Sequence, residues 1–168
     1  PPPNPGRFTS STRKTMQNIL MNLAFYLLVV AAGASFSLQQ AANNHLRAEL
    51  LSPWWAGFIS YVGGSLAMLV MALVCRGPGL SWDMLSRTSP FSWTGGILGA
   101  IYIATAIFMI PKLGATTVLA LMVVGQMLLS LMLDHYGLLG IPVYPVTGIR
   151  LLGVVLLVLG VVLIRWQA

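Results

Sequence analysis

Long apolar stretches separated by short charged segments dominate the chain. Four stretches contain no Asp, Glu, Lys or Arg: residues 15–46, 50–75, 88–111 and 113–133. Each can hold the roughly 20 apolar residues that an α-helix needs to cross a bilayer. A fifth stretch, from about Pro145 to Ile164, carries Arg150 near its start, where a long side chain can reach the head groups. The pattern predicts five transmembrane helices, at about residues 17–42, 53–75, 93–110, 114–133 and 145–165.

The composition favours the same class of protein. The chain is 57% hydrophobic and only 7% charged, whereas soluble domains contain roughly 25% charged residues. We therefore expect an all-α integral membrane protein. The net charge of +6 comes from basic residues that lie between or beside apolar runs. They are expected to orient the chain in the membrane, and we expect no nucleic-acid partner.

The basic residues encode orientation only weakly. With the amino terminus in the cytoplasm, six basic residues lie on that side (Arg7, Arg13, Lys14, Arg76, Arg87 and Arg150) and three on the other (Arg47, Lys112 and Arg165). Three of the six belong to the first 16 residues, and without them the two sides are equal. Insertion in both orientations therefore stays open.

The first 16 residues differ from the rest of the chain. They are rich in Pro, Ser and Thr and contain no acid, which predicts a disordered basic tail over residues 1–16. A single five-helix transmembrane domain is expected over residues 17–168. Within its third span, Gly95 and Gly99 stand one turn apart, a spacing of small residues that favours close helix packing in lipid.

Two amide pairs lie near the end of the first span. Gln39 and Asn43 are four residues apart and share a helical face, and Gln40 with Asn44 forms a second such pair. Amides are costly in lipid, so they should face another helix or a wet cavity. Hydrogen bonding between helices and lining of a solute cavity both remain open.

The fourth span contains a deeper polar group. Gln126 lies near mid-span, and Ser130 and Asp134 follow at intervals of four residues. The spacing predicts one polar stripe that faces a cavity or a neighbouring helix. Tyr102 in the third span is a further candidate for the cavity wall.

Asp134 and His135 stand together where this span ends. They either terminate an interfacial helix or form a proton-linked gate, because histidine titrates near neutrality. No mid-span carboxylate is present to act as a coupling group. The sequence also lacks a zincin histidine pair, a phosphate loop and a nucleophile elbow. With two histidines and one cysteine, we expect neither an enzyme nor a metal or other cofactor.

Three segments carry a resemblance to a known family: "LQQAANNHLRAELLSPWWAGFISYVGGSLAML", "WTGGILGAIYIATAIFMIPKLGATTVLALMVVGQMLLSLMLDHYGLLGIP" and "RLLGVVLLVLGVVLI". On these segments, from about Leu20 to Arg165, the chain resembles the YdcZ-type family of the drug/metabolite transporter superfamily, small proteins of the bacterial inner membrane. Residues of this sequence that match the family pattern are Gln39, Asn43, Gly125, Gln126, Asp134 and His135.

The resemblance implies a transport role but no particular solute. We expect an exporter of a small polar or amphipathic solute that works by alternating access. Longer members of the superfamily resemble a duplicated five-span unit with inverted halves, with the substrate between them. A single unit then implies a homodimer, antiparallel if insertion is dual, or a heterodimer with a paralogue. We expect Gln39, Asn43, Tyr102 and Gln126 to bind the solute. Asp134 and His135 are expected to act as gate or coupling groups. The alternative is a membrane assembly or accessory protein whose polar residues only join helices.

Overall fold

The computed structural model describes residues 5–75, 77 and 79–166, and within them the chain is helical with short connections. The α-helices are α1 (Pro5–Leu50), α2 (Pro53–Val74), α3 (Trp82–Ser86), α4 (Gly95–Leu113), α5 (Ala115–Tyr136) and α6 (Gly148–Trp166). Two 3₁₀ turns lie at Pro90–Thr94 and Leu138–Gly140. The described residues contain no β-strand.

Five helical segments are long and apolar enough to cross a membrane: Thr15–Leu50, Pro53–Val74, Pro90–Leu113, Ala115–Tyr136 and Gly148–Trp166. They overlap the five predicted spans, so the all-α membrane fold is confirmed. The first span differs most, because α1 continues to Leu50 instead of ending near residue 42, and the last helix begins at Gly148 rather than residue 145. The third span differs in its end, because α4 continues through Pro111 to Leu113. A proline in the last turn removes only a terminal backbone hydrogen bond, which a membrane helix tolerates.

The chain divides into two units at Gln40. The first is the amino-terminal part of α1, a single helix up to Gln39. Residues 1–4 of the predicted tail lie outside the described residues, and the backbone is helical from Pro5. Pro5 suits a first helical turn because its missing N–H has no partner there, and no proline lies between Pro5 and Pro53. The separation of a tail at residue 16 stays a prediction.

The second unit contains the end of α1 and the helices α2 to α6. Within it α2 packs on α4, α4 on α5, and α5 on α6. Two small clusters form its core: Ala56, Ile103 and Ile107, and then Ala106, Ile110 and Val118. Most other large apolar side chains point outward, as expected where lipid rather than water surrounds the helices.

Glycines and a capping serine set the helix ends that place the site. Ser52 accepts a hydrogen bond from the Trp55 N–H and caps α2. Gly114, at φ 81°, turns the chain directly from α4 into α5. Gly137, at φ 61°, ends α5 in the left-handed conformation, which glycine adopts without strain. A Cβ on Gly137 would lie 2.5 Å from Val143 Cγ2, so the connection after α5 also needs a residue without a side chain at this position.

Candidate functional site

An ion pair joins the last turn of α5 to the first turn of α6. Arg150 Nη1 lies 3.4 Å from Asp134 Oδ2 and also donates a 3.1 Å hydrogen bond to the Tyr144 carbonyl oxygen. The side chains of Arg150 and Asp134 are 39% and 23% exposed, so water screens this pair less than it screens a surface pair. The sequence suggested that Arg150 can reach the head groups, and this stays a prediction. The structure adds an acidic partner, because the connection brings α6 back beside α5.

Hydrogen bonds fold the connection between α5 and α6 onto the Asp134–His135 pair. The Tyr144 N–H donates to the Asp134 carbonyl oxygen at 2.8 Å, and the Val146 N–H donates to His135 Nδ1 at 3.2 Å. The Arg150 guanidinium carbon lies 5.7 Å from the centre of the Tyr144 ring, within cation–π range. His135 Nδ1 accepts only when the imidazole is neutral, because the charged ring has two donors and no acceptor. Protonation of His135 would therefore break its bond to Val146.

A groove of about 420 Å³ lies between α5 and α6 beside the ion pair. Apolar side chains form most of its wall, and Ser130, Asp134 and Arg150 supply its polar groups. This volume is within the range of small-molecule sites, which are mainly apolar with a few placed polar groups. The groove can therefore hold an amphipathic solute with its polar end at the ion pair.

A second polar contact joins α4 to α5 near the middle of both helices. The side chains of Tyr102 and Gln126 are hydrogen-bonded to each other. Tyr102 is partly buried, whereas Gln126 lies on an exposed face of α5. Two of the predicted solute-binding residues are thus brought together. Thr105, one turn from Tyr102, bonds instead to the Ile101 carbonyl of its own helix at 2.7 Å.

The predicted polar stripe on α5 is divided between two surfaces. Ser130 and Asp134 line the groove with α6, and Gln126 bonds to Tyr102 on α4. Each step of four residues turns a helix by about 40°, so Gln126 and Asp134 differ by about 80° around the axis. They also lie about 12 Å apart along the axis. One stripe in the sequence therefore serves two neighbouring helices.

The amides near the end of α1 differ in burial. Gln39 is the last residue of the first unit and is partly buried. In the second unit Asn43 is 4% exposed and Gln40, which was not a predicted site residue, is 1% exposed. Adjacent residues on a helix point about 100° apart, so only the packing of the helix decides which amide pair is enclosed.

The two glycines of the predicted packing motif have different surroundings. A Cβ on Gly99 would lie 2.4 Å from Tyr61 Oη, whereas a Cβ on Gly95 would meet nothing within 4 Å. Gly99 therefore lies at the contact between α2 and α4. Tyr61 also packs against the core cluster of Ala56, Ile103 and Ile107.

Sequence reasoning missed Arg150, Tyr144 and Gln40 as members of these sites. A charge one turn inside an apolar span is a signal that a partner is near, and Asp134 is the nearest acid before Arg150. The described residues contain no group of three His, Cys, Asp or Glu side chains that could hold an ion. Cys75 is an exposed free thiol.

A comparison with protein families identifies the family to which these residues belong. Residues 24–163 match the family described as "Putative inner membrane exporter, YdcZ", and the matched range includes the groove, the ion pair and the buried amides. The chain belongs to the YdcZ family. Searches of curated proteins and of solved structures each returned no match.

Membership of the YdcZ family agrees with the five apolar helices. The chain is a multi-pass protein of the inner membrane and, at the level of its family, a membrane transporter. The family is one of exporters rather than of enzymes. The resemblance found in the sequence is confirmed.

Proposed function

We propose that this YdcZ-family protein is one protomer of a dimeric exporter that moves a small polar or amphipathic solute by alternating access. The observation that carries the proposal is the half-buried Asp134–Arg150 ion pair at the polar part of the α5–α6 groove. A charged pair is expensive beside hydrocarbon, so its place in a membrane helix indicates a functional site. The groove supplies apolar walls for a solute, and the pair supplies a polar contact.

The Asp134–Arg150 pair and His135 together suit a gate. They hold the connection between α5 and α6 through four interactions: the ion pair itself, the two backbone hydrogen bonds to Asp134 and His135, and the bond from Arg150 to the Tyr144 carbonyl. Charging His135 removes its acceptor, and neutralising Asp134 removes the counter-ion of Arg150. A proton or a charged solute could therefore open the connection, which is what a coupled transporter requires.

The Tyr102–Gln126 contact supports a dimer with a central site. Gln126 lies halfway along the 22-residue α5 and on its exposed face. A primary amide carries two donors and an acceptor oxygen, and lipid can satisfy none of them. A second copy that covers this face would enclose Tyr102 and Gln126 in an internal cavity. The site would then require both protomers.

Export can be tested without knowing the solute. Inside-out membrane vesicles that contain the protein are incubated with an isotope-labelled cell extract, and the accumulated solutes are identified by mass spectrometry. Vesicles with the wild-type protein are expected to accumulate at least one solute that empty-vector vesicles do not. Gln126→Leu should lower this accumulation about tenfold or more, because it removes a polar contact inside a closed site.

Gln126→Asn is the matched control, since it retains the amide and should keep part of the flux. Membrane levels of all three proteins are compared by immunoblotting. If no solute separates wild-type from empty vesicles, the transport function is wrong and the accessory role becomes the better explanation. If Gln126→Leu transports at the wild-type rate, the central site is wrong.

A further inference from the structure

Five buried polar atoms near the end of α1 have no hydrogen-bond partner. They are Gln40 Nε2 and Oε1, Asn43 Nδ2, Asn44 Oδ1 and Arg47 Nε. Gln40 is 1% exposed and Asn43 4%, so these amides are enclosed rather than turned to solvent. Native proteins pair nearly all buried polar groups. The concentration of orphaned atoms on four neighbouring residues therefore indicates a ligand.

The four residues form one surface. Their positions, 40, 43, 44 and 47, follow the spacing of three and four residues that defines a helical face. They fall within about 100° of the helix circumference and extend about 10 Å along its axis. The neighbouring Leu46 packs against the core cluster of Ala56, Ile103 and Ile107, so this part of α1 is anchored to α2 and α4.

Arg47 brings a positive charge that no acidic side chain of the chain neutralises. The sequence has three acids, and each is paired with another basic residue: Glu49 with His45 at 3.5 Å, Asp83 with Arg87 at 3.0 Å, and Asp134 with Arg150 at 3.4 Å. The helix dipole favours a cation at the carboxyl end of a helix, but it offers no acceptor to the buried Nε–H of Arg47. An anion would supply both the charge and the acceptor.

The orphaned atoms specify more than an anion. Three are donors, on Gln40, Asn43 and Arg47, and two are acceptors, on Gln40 and Asn44. A carboxylate accepts from the donors but has no hydrogen for the acceptors, and a phosphodiester group by itself has none either. Hydroxyl groups beside the carboxylate complete the set. We propose that the carboxyl end of α1 binds a small hydroxylated organic acid, with its carboxylate at Arg47 and its hydroxyls along Asn44 and Gln40.

The location suits a solute that enters from water or from the head-group layer. The span Thr15–Leu50 has 36 residues, well beyond the roughly 20 that cross the hydrocarbon. From Leu23 to Leu38 α1 contains no amide or charged side chain, so the four polar residues follow this stretch near the membrane surface. Calling the bound acid a transported solute rests on the proposed function; binding itself does not.

Binding is tested with gluconate, a six-carbon acid that carries a carboxylate and hydroxyls. The full-length protein is placed in phosphatidylcholine nanodiscs, and binding of radiolabelled gluconate is measured by scintillation proximity. Acetate, which lacks the hydroxyls, and sorbitol, which lacks the carboxylate, are the competitors. Gluconate should displace the label at least about tenfold better than either competitor, because only gluconate offers both a carboxylate to Arg47 and hydroxyls to Asn44 and Gln40.

Two substitutions and one control locate the site. Arg47→Gln should weaken gluconate binding about tenfold or more, since a charge-assisted hydrogen bond is lost. Arg165 lies outside this four-residue surface, so Arg165→Gln should leave gluconate binding unchanged. Gln40→Leu should weaken gluconate binding and yet raise the melting temperature of the ligand-free protein, because it removes two buried unsatisfied atoms. A lower melting temperature with unchanged binding would mean that Gln40 serves only packing, and would overturn the proposal.

Further outcomes separate this inference from its rivals. Absence of gluconate binding overturns it, even if the vesicle experiment finds another exported solute. Arg47-dependent stabilisation by phosphatidylglycerol that exceeds the stabilisation by gluconate would identify a lipid head group as the anion and also overturn it, whether or not Gln40→Leu weakens that stabilisation. Gluconate binding together with no flux of any solute would support the site while rejecting the transport function.

Discussion

At the end of α5, Asp134 is held both through its side chain and through its backbone. Its carboxylate pairs with Arg150, and its carbonyl oxygen accepts from the Tyr144 N–H at 2.8 Å. Removing the carboxylate charge leaves Arg150 with the Tyr144 carbonyl but without a counter-ion. The two residues should therefore be energetically coupled through the ion pair, while the backbone hydrogen bond survives.

A double-mutant cycle of Asp134→Asn and Arg150→Gln measures that coupling. We expect each single variant to lower stability, and the double variant to lose less than the sum, with a coupling of about 1 kcal/mol. This coupling energy is close to that of solvent-exposed ion pairs because the Arg150 side chain is 39% exposed. Thermal unfolding of the detergent-purified protein gives the four stabilities. Additive losses would show that the 3.4 Å contact contributes no coupling.

At this scale the sequence located polar residues better than it located their partners. Asp134 and Gln126 stood out because polar side chains are expensive in an apolar helix. Their partners, Arg150 and Tyr102, depend on how a connection folds and on which helices are neighbours. The choice between Gln39 and Gln40 shows a related limit of the sequence: both have amides four residues on, and burial separates them only once the helix is packed. The role of Gln39 stays a prediction.

At the scale of helices, the α2–α4 contact depends on the absence of one side chain. Tyr61 Oη occupies the space that a Cβ on Gly99 would need, at 2.4 Å. Small residues at such contacts allow helices to approach closely in lipid, where dispersion contacts stabilise packing. The Gly95–Gly99 motif predicted from sequence therefore acts unequally in the structure, and its role in packing remains to be tested.

Gly99→Ala is expected to be less favourable than Gly95→Ala by about 1 kcal/mol, because the new methyl group at residue 99 displaces the tyrosine hydroxyl. Gly95→Ala, with nothing within 4 Å of its Cβ position, should be close to neutral. Tyr61→Phe removes the clashing atom and should suppress most of the Gly99→Ala loss. Melting temperatures of the four variants test this pattern. Equal losses at Gly95 and Gly99, or no suppression by Tyr61→Phe, would contradict it.

The helices themselves were the most predictable feature. A bilayer demands about 20 apolar residues per span, and this demand makes the five spans visible as runs without charge. Their ends were less predictable, as α4 shows by continuing through Pro111. Capping by Gly114 and Gly137 depends on positive φ angles and local space, which a hydrophobic pattern does not encode.

For the whole molecule, the exposed polar face of α5 and the apolar outer faces of the helices lead to the proposed dimer. The single chain leaves Gln126 uncovered near mid-membrane. A second copy would enclose it. Outside the first 16 residues the basic residues are equally divided between the two sides, which permits that copy to insert in either orientation. The central claim is therefore that two chains build one transport pathway.

Mixing wild-type and Gln126→Leu chains tests this claim most directly. The two proteins are co-expressed at measured ratios, and flux of the solute identified in the vesicle experiment is followed. If each pathway needs two intact protomers, equal amounts should give about a quarter of the flux of an all-wild-type sample with the same total protein. Flux in simple proportion to the wild-type fraction, about one half at equal amounts, would mean that each chain works alone and would contradict the account.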